Sequence, residues 1–369
     1  MLFDMLPIKR LQRGPALGAI IACGVLLSGC LRLGFDREAM LTSVVDTVII
    51  PSHSALSTEA TTLDQLAQRF VADPSAEALE TLRSHWLATD LAWKRVELFE
   101  LPGLLLVHNA IERRPARISF IEDAIQGADE SALQEIDADF VESLGSTSKG
   151  LSAVEYLIFP SEAHERLVLD SFTDPARGAY LTALTGNLAR KVRELEAFWL
   201  PEGENYAEVF RENDSEGADL QGSVSLLANK MIELNEIVLR TRLGMPMGQT
   251  TDGVPQPRDV ESYLSGASAQ MMAANIQSLR DTFDADLDDY LDYLQRSGEE
   301  PLSSAIHDQF HAVLSSLDAL EQPLQTAVTE SPLEVRTVYD AMQDLLVLLK
   351  TDMAGILGIT VTFSDSDGD

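Results

Sequence analysis

Apolar residues recur along this chain at three- and four-residue steps, the spacing that lines one face of an α-helix. In ALETLRSHWLATDLAWKRVELFE the positions are Leu79, Leu82, Trp86, Trp93 and Val96. LLANKMIELNEIVLRTRLG repeats the pattern with Leu227, Met231, Leu234 and Val238, then stops at Gly244 ahead of Pro246. MMAANIQSLRDTFDADLDDYLDYL carries it from Met272 through Ile276, Leu279, Phe283, Leu287 and Tyr290 to Leu294. Two further stripes follow, Ile306, Phe310, Val313 and Leu317, then Val338, Met342, Leu345, Leu349 and Met353. No stretch alternates with period two for long enough to predict a strand. Each stripe is about as wide as packing against neighbouring helices requires. The pattern therefore predicts an all-α chain.

Turn chemistry separates the stripes: ADPSAE, ELPG, GADES, PEGENY, NDSEGAD, MPMGQTTDGVPQP, RSGEEP and ESPLE. The most polar mid-chain segment runs from Pro201 to Asp219, which places a domain boundary near residue 212. Residues 46–212 and 213–369 would each hold about four long helices, the number that closes a bundle around one core. Residues 30–45 read as a tether and a lead-in to the first helix. The Gly- and Pro-rich segment from Gly244 to Asp259 reads as a crossing loop with functional contacts.

The first residues change the picture. Lys9, Arg10 and Arg13 form a positive segment ahead of the apolar run GPALGAIIACGVLLSGC. Residues 1–29 are expected to be a secretory signal peptide, too short for a membrane span. Leu27-Ser28-Gly29-Cys30 matches the bacterial lipobox, so Cys30 is the expected site of lipidation and the new N-terminus. Leu31 follows it, which in Gram-negative bacteria favours sorting to the outer membrane, with the protein facing the periplasm. Cys23 would leave with the signal, and the processed chain would have no thiol left for a disulfide. Its stability would rest on its core.

The net charge is −32, and losing three basic residues and Asp4 with the signal would bring it to about −34. Nucleic acid is excluded as a partner, since it calls for a basic footprint. Adhesion to anionic lipid is excluded too, except through the Cys30 anchor; envelope proteins remain as candidate partners.

Several segments together resemble the imelysin family: WLATDLAWKRVELFELPG, KGLSAVEYLIF, RGAYLTALTGNL, LANKMIELNEIVLRTRLGMPMG, VESYLSGASAQMMAANIQSL and LGITVTFSDSDGD. They fall in family order and cover most of residues 60–369. The resemblance implies two tandem helical bundles, a periplasm-facing location and a link to iron or other metal handling, with a divalent metal or iron as candidate cofactor. A peptidase label travels with the family.

The family signature is Gly-x-His-x-x-Glu, in which His and Glu lie one turn apart on one helix face and can share a metal. This chain reads Gly150, Leu151, Ser152, Ala153, Val154, Glu155. Gly and Glu match, and serine stands in for the imidazole. A hydroxyl is a poor ligand for transition metals beside imidazole, so any site at Glu155 would be oxygen-rich. The other reading of Glu155 is a hydrogen-bonded core acid. Asp90, Trp93 and Glu97 share a helix face at i, i+3 and i+7, and Glu97 aligns with a glutamate of the family. Glu97 and Asp90 are thus candidate partners for Glu155, with Ser152 offering at most a hydroxyl. Paired carboxylates would raise one pKa or invite a cation. Glu97 could instead be solvated, or paired with Lys94 or Arg95.

HDQFH sets His307 and His311 four apart, the helical zinc-pair spacing, with Asp308 where a catalytic Glu would stand. No third ligand is evident nearby, and both histidines flank a core stripe; they are a weak alternative metal site. Asp281, Asp284, Asp288 and Asp292 form an acidic stripe opposite the core face of one long helix. The terminal SDSDGD is half of a calcium loop without its bidentate Glu. The reading is a lipid-anchored binding protein. The rivals are a metal-dependent peptidase, which lacks a complete ligand set and water base, and a scaffold for envelope proteins.

Overall fold

A computed structural model describes residues 34–127, 133–160, 168–213, 222–295 and 300–362. The lipobox with Cys30 and the SDSDGD tail lie outside the described residues. Their regular structure is all helical, with no strand among the described residues.

The first helix, α1, runs Arg37–Ala72 through a π-helical turn at Val45–Ile49. By length and composition it could cross a membrane, but Leu41, Leu56, Ala60, Leu63 and Phe70 are buried within the fold. It packs along α2 (Ala76–Val96) and α5 (Pro175–Trp199). Ser75 caps α2 by accepting a hydrogen bond from the Ala78 amide at 3.2 Å. Asp174 caps α5 with Pro175 at its first position. Both devices satisfy amides that a helix start leaves open. Between them lie α3 (Leu105–Ile111) and α4 (Gly150–Ile158). The α4 helix rests on α2 and α5. Trp86, fully buried, ties α2 to α4 by donating from its indole N–H to the Leu151 carbonyl at 3.0 Å.

A second set of helices comprises α6 (Ser223–Ile237), α7 (Ser268–Phe283), α8 (Leu302–Asp318) and α9 (Pro332–Val347). The α8 helix packs on α7 and α9, and α6 on α9. The apolar stripes read from the sequence are buried: Leu79, Leu82, Trp86 and Trp93 in the first set, Met272, Ile276, Leu279, Phe310, Val338 and Met342 in the second. The expected boundary near residue 212 falls at the edge of the undescribed segment 214–221.

The two sets meet where α7 crosses α2, and this seam is polar. The last carbonyls of α2 lack intrahelical partners, and α7 supplies them. Asn275 donates to the Lys94 carbonyl at 2.9 Å, and Ser278 to the Arg95 carbonyl at 2.7 Å. Arg95 in turn reaches Gln277 at 3.0 Å, and also Asp281.

One expected helix is broken. The stripe from Met272 to Leu294 is interrupted after Phe283, where Asp286 adopts a left-handed conformation (φ 70°), and a new helix begins at Leu287. Asp284 and Asp288 therefore flank a turn, and they do not continue a single straight acidic face.

Two histidines lie in the interior. His53 bonds the Ile49 carbonyl through Nδ1 at 2.7 Å and packs among Phe99 and Trp199. His108 sits edge-on to Trp93. Burial pushes His53 down to about 4 and His108 to about 3. Both are neutral when folded, whereas in the unfolded chain they bind protons from about pH 6.5 downward. Their contribution to stability is full above that value and declines as the pH falls toward 4. Urea denaturation should lose roughly 2 kcal/mol per histidine between pH 7 and pH 5. His53→Gln should flatten that slope, and an unchanged slope would refute the assignment.

Candidate functional site

Motif residue Gly150 opens α4 with φ 74°, a left-handed conformation suited to glycine. A Cβ there would lie 2.8 Å from the Ala110 carbonyl oxygen and would also strike that of Ile111. The end of α3 thus runs directly against the start of α4. Ser152 donates its hydroxyl to the Arg113 carbonyl at 3.0 Å. Glu155, 4% exposed, is held at both oxygens. Oε2 accepts from Arg114, and Oε1 accepts from the Ser265 amide at 3.0 Å.

Arg114 is the hub of a wider network. Its guanidinium reaches Asp90 Oδ2 at 2.7 Å, Glu112 Oε1 at 2.7 Å, Glu155, and the Glu261 carbonyl at 3.0 Å. Lys94, fully buried on α2, donates to Glu112 and to Glu261 Oε1 at 2.6 Å, with Glu97 at 3.6 Å. Arg242 lies in the π-helical turn Val238–Gly244 that continues α6. It grips Glu97 and also donates to the Asn275 side-chain oxygen at 2.5 Å. The Trp93 indole donates to Glu112 at 2.9 Å.

The sequence-predicted acids Asp90, Glu97 and Glu155 therefore enter one network, but they do not face one another across a shared ion. Arg114 joins Asp90 to Glu155, and Arg242 and Lys94 hold Glu97. Arg114 and Arg242, together with Glu112 and Glu261, escaped the sequence reading, whereas Lys94 was offered there as a partner for Glu97 and lies 3.6 Å from it. Lys94 alone had a local signal, lying four residues after Asp90 and three before Glu97. The other partners come from distant segments.

The electrostatics follow from burial and neighbours. For Glu97 burial opposes ionisation, but Arg242 and Lys94 outweigh it and hold the carboxyl well below the usual range. Glu112 is drawn down to about 2 against burial, by Lys94 and Arg114. Asp90 goes the other way: burial, helped by Glu112, raises its proton affinity well above the usual range despite Arg114 and Lys94. Its Oδ1 is buried without a hydrogen-bond partner, as is Glu261 Oε2.

Above this network lies a cleft of about 640 Å³ between the two helix sets. Trp93, Leu105 and Met245 give it apolar walls; Glu97, Glu112, Arg114, Arg242 and Glu261 form a charged floor; Arg113, Arg258 and Asp259 add further charge. His108 lines it too, with Nδ1 3.7 Å from Glu100 Oε2. The Gly- and Pro-rich segment delivers Met245, Arg258 and Asp259 to this cleft. Its volume is of the size that small-molecule sites have.

The HDQFH histidines do not share a site. His307 lies between Asp284 (3.3 Å) and Asp288 (3.2 Å), while His311, exposed, bonds Ser315 at 2.8 Å. Ligand atoms of Asp284, Asp288 and His307 come within 4.8 Å of one another at the surface.

Removing one base from the network leaves buried carboxylates uncompensated. Lys94→Met should cost about 3–5 kcal/mol in chemical denaturation at pH 7. The loss should shrink as the pH falls below the ordinary glutamate value of 4.5 toward 2, where Glu112 takes up its proton. A near-neutral Lys94→Met would refute the network's structural role.

A family model for imelysin, peptidase M75, matches residues 49–352. Iron-regulated protein A of Synechococcus elongatus is 20% identical over 366 residues, covering 93% of each chain. The crystal structure of an imelysin-like protein from Psychrobacter arcticum superposes with a TM-score of 0.71 at 18% identity, over 89% of this chain and 98% of that one. A structure assigned as an iron-regulated protein A precursor from Parabacteroides distasonis gives 0.69 at 18% identity, over 87% and 94%. These structural likenesses are ones of fold. The family model spans well over half of the residues, and this chain belongs to the imelysin family.

Proposed function

We propose that this imelysin-family chain is a lipid-anchored, periplasm-facing binding protein of the cell envelope. It serves iron or metal handling, and the cleft between the helix sets is its binding place. The observation that carries this reading is the commitment of Glu155. Both of its oxygens are bonded, to Arg114 and to the Ser265 amide, and the Ser152 hydroxyl is given to the Arg113 carbonyl. The motif residues thus hold Arg113 and Arg114, which line the cleft. A hydrolytic mechanism would need an activated water and a free carboxylate base beside it, and Glu155 has no free oxygen to serve. The acidic composition, the lipobox at Cys30 and the iron-regulated names of the relatives support the envelope and iron parts of the reading.

Fractionation of the native host should place the wild-type chain with the outer membrane and release Cys30→Ala into the periplasm. Wild-type protein recovered from the cytosol would sink the envelope assignment. Its abundance should change when iron is withdrawn, and an abundance indifferent to iron would remove that link. The purified protein should leave unfolded protein substrates intact with or without added zinc. Zinc-dependent cleavage abolished by Glu155→Gln would reverse the choice in favour of a peptidase.

A further inference from the structure

The guanidinium of Arg114 has four oxygen acceptors contributed by four separate segments. Asp90 comes from α2, Glu112 from the residues after α3, Glu155 from α4, and the Glu261 carbonyl from the stretch ahead of α7. Three carboxylates and one carbonyl, with no nitrogen or sulfur donor, make the kind of shell that hard divalent cations prefer. The shell also has capacity to spare. Asp90 is fully buried, yet its Oδ1 has no hydrogen-bond partner. Lys94 and Arg242 serve the other side of the network, where they meet Glu97, Glu112 and Glu261. Among the described residues, Asp90 and Glu155 have ion pairs with Arg114 alone.

We propose that Arg114 is a built-in counter-cation: its side chain fills an oxygen cage that would otherwise hold a divalent metal, and it keeps metal off Glu155. An arginine cannot lose its charge in a protein, so the plug is permanent at every physiological pH. Ser152 assists as a positioning residue. Its hydroxyl bonds the carbonyl of Arg113, the residue next to Arg114, and so fixes the backbone that carries the plug. Ser152 and the guanidinium in the cage thus belong to one arrangement. This inference is independent of what the cleft binds.

The test uses the full-length chain stripped with EDTA, with Mn²⁺ as the probe, read by electron paramagnetic resonance and thermal melting. The acidic surface will bind Mn²⁺ diffusely in every variant, so differences between variants carry the result. Arg114→Ala should melt lower than wild type in EDTA, bind Mn²⁺ at least roughly tenfold more tightly than wild type, and regain part of its melting temperature with the ion. Arg114→Ala combined with Glu155→Gln should lose that gain, and Arg114→Lys, which keeps a cation, should not acquire it. Three results would overturn the proposal. One is a folded Arg114→Ala that binds no more Mn²⁺ than wild type. Another is an Arg114→Ala that stays unfolded even with the ion present. The third is a wild-type chain that already binds Mn²⁺ tightly and loses it on Glu155→Gln.

Discussion

Three basic side chains, Lys94, Arg114 and Arg242, join the helices before residue 213 to those after residue 222. Lys94, on α2, reaches across the seam to Glu261, which precedes α7. Arg114 reaches the Glu261 carbonyl from the opposite side, and Arg242, beyond α6, reaches back to Glu97 at the end of α2. Each of these pairs spans more than a hundred residues of sequence. Buried pairs of this kind gain little net stability over apolar packing, because desolvation offsets most of the attraction, yet losing one partner is costly. In this arrangement Asp90, Glu97, Glu112, Glu155 and Glu261 each lie against a base at the seam.

The same constraint explains why the seam is polar. The α2 helix ends there, and its terminal carbonyls need donors. Asn275 and Ser278 provide them from α7, and Asn275 also donates to Glu97 at 3.0 Å. Helix-end satisfaction and charge compensation thus act through the same side chains. Such interlocked polar groups act together with the buried apolar side chains on either side of the seam.

The helical fold was legible in the sequence because its period is short-range: residues three and four apart decide which face of a helix is buried, and Leu79, Trp86, Met272, Phe310 and Val338 are buried as that rule requires. Asp90, Glu97 and Glu155 were legible for related reasons, through helix spacing and a local motif. Of their partners only Lys94, three residues before Glu97, was legible as well. Arg114 and Glu261 lie outside the long helices, and Arg242 is 145 residues from Glu97. No periodicity brings such positions together. The break at Asp286 was also invisible, since Phe283 and Leu287 are both buried on either side of it and keep helical spacing across the kink.

The motif itself takes on a physical meaning once its contacts are known. Gly150, Ser152 and Glu155 all act on the same short piece of chain, residues 110–114. Gly150 lets the carbonyls of Ala110 and Ile111 approach closer than any side chain would allow. Ser152 bonds the carbonyl of Arg113, and Glu155 binds the side chain of Arg114. One turn of α4 therefore positions the segment from which Glu112 and Arg114 enter the network. A glutamate among apolar neighbours at position 155 is tolerated because its charge is matched, and matched by a residue that the same helix holds in place. Glycine and glutamate are required by this arrangement whether or not a metal is ever bound. That is why the motif can exchange its imidazole for a hydroxyl while the helices around it keep their packing.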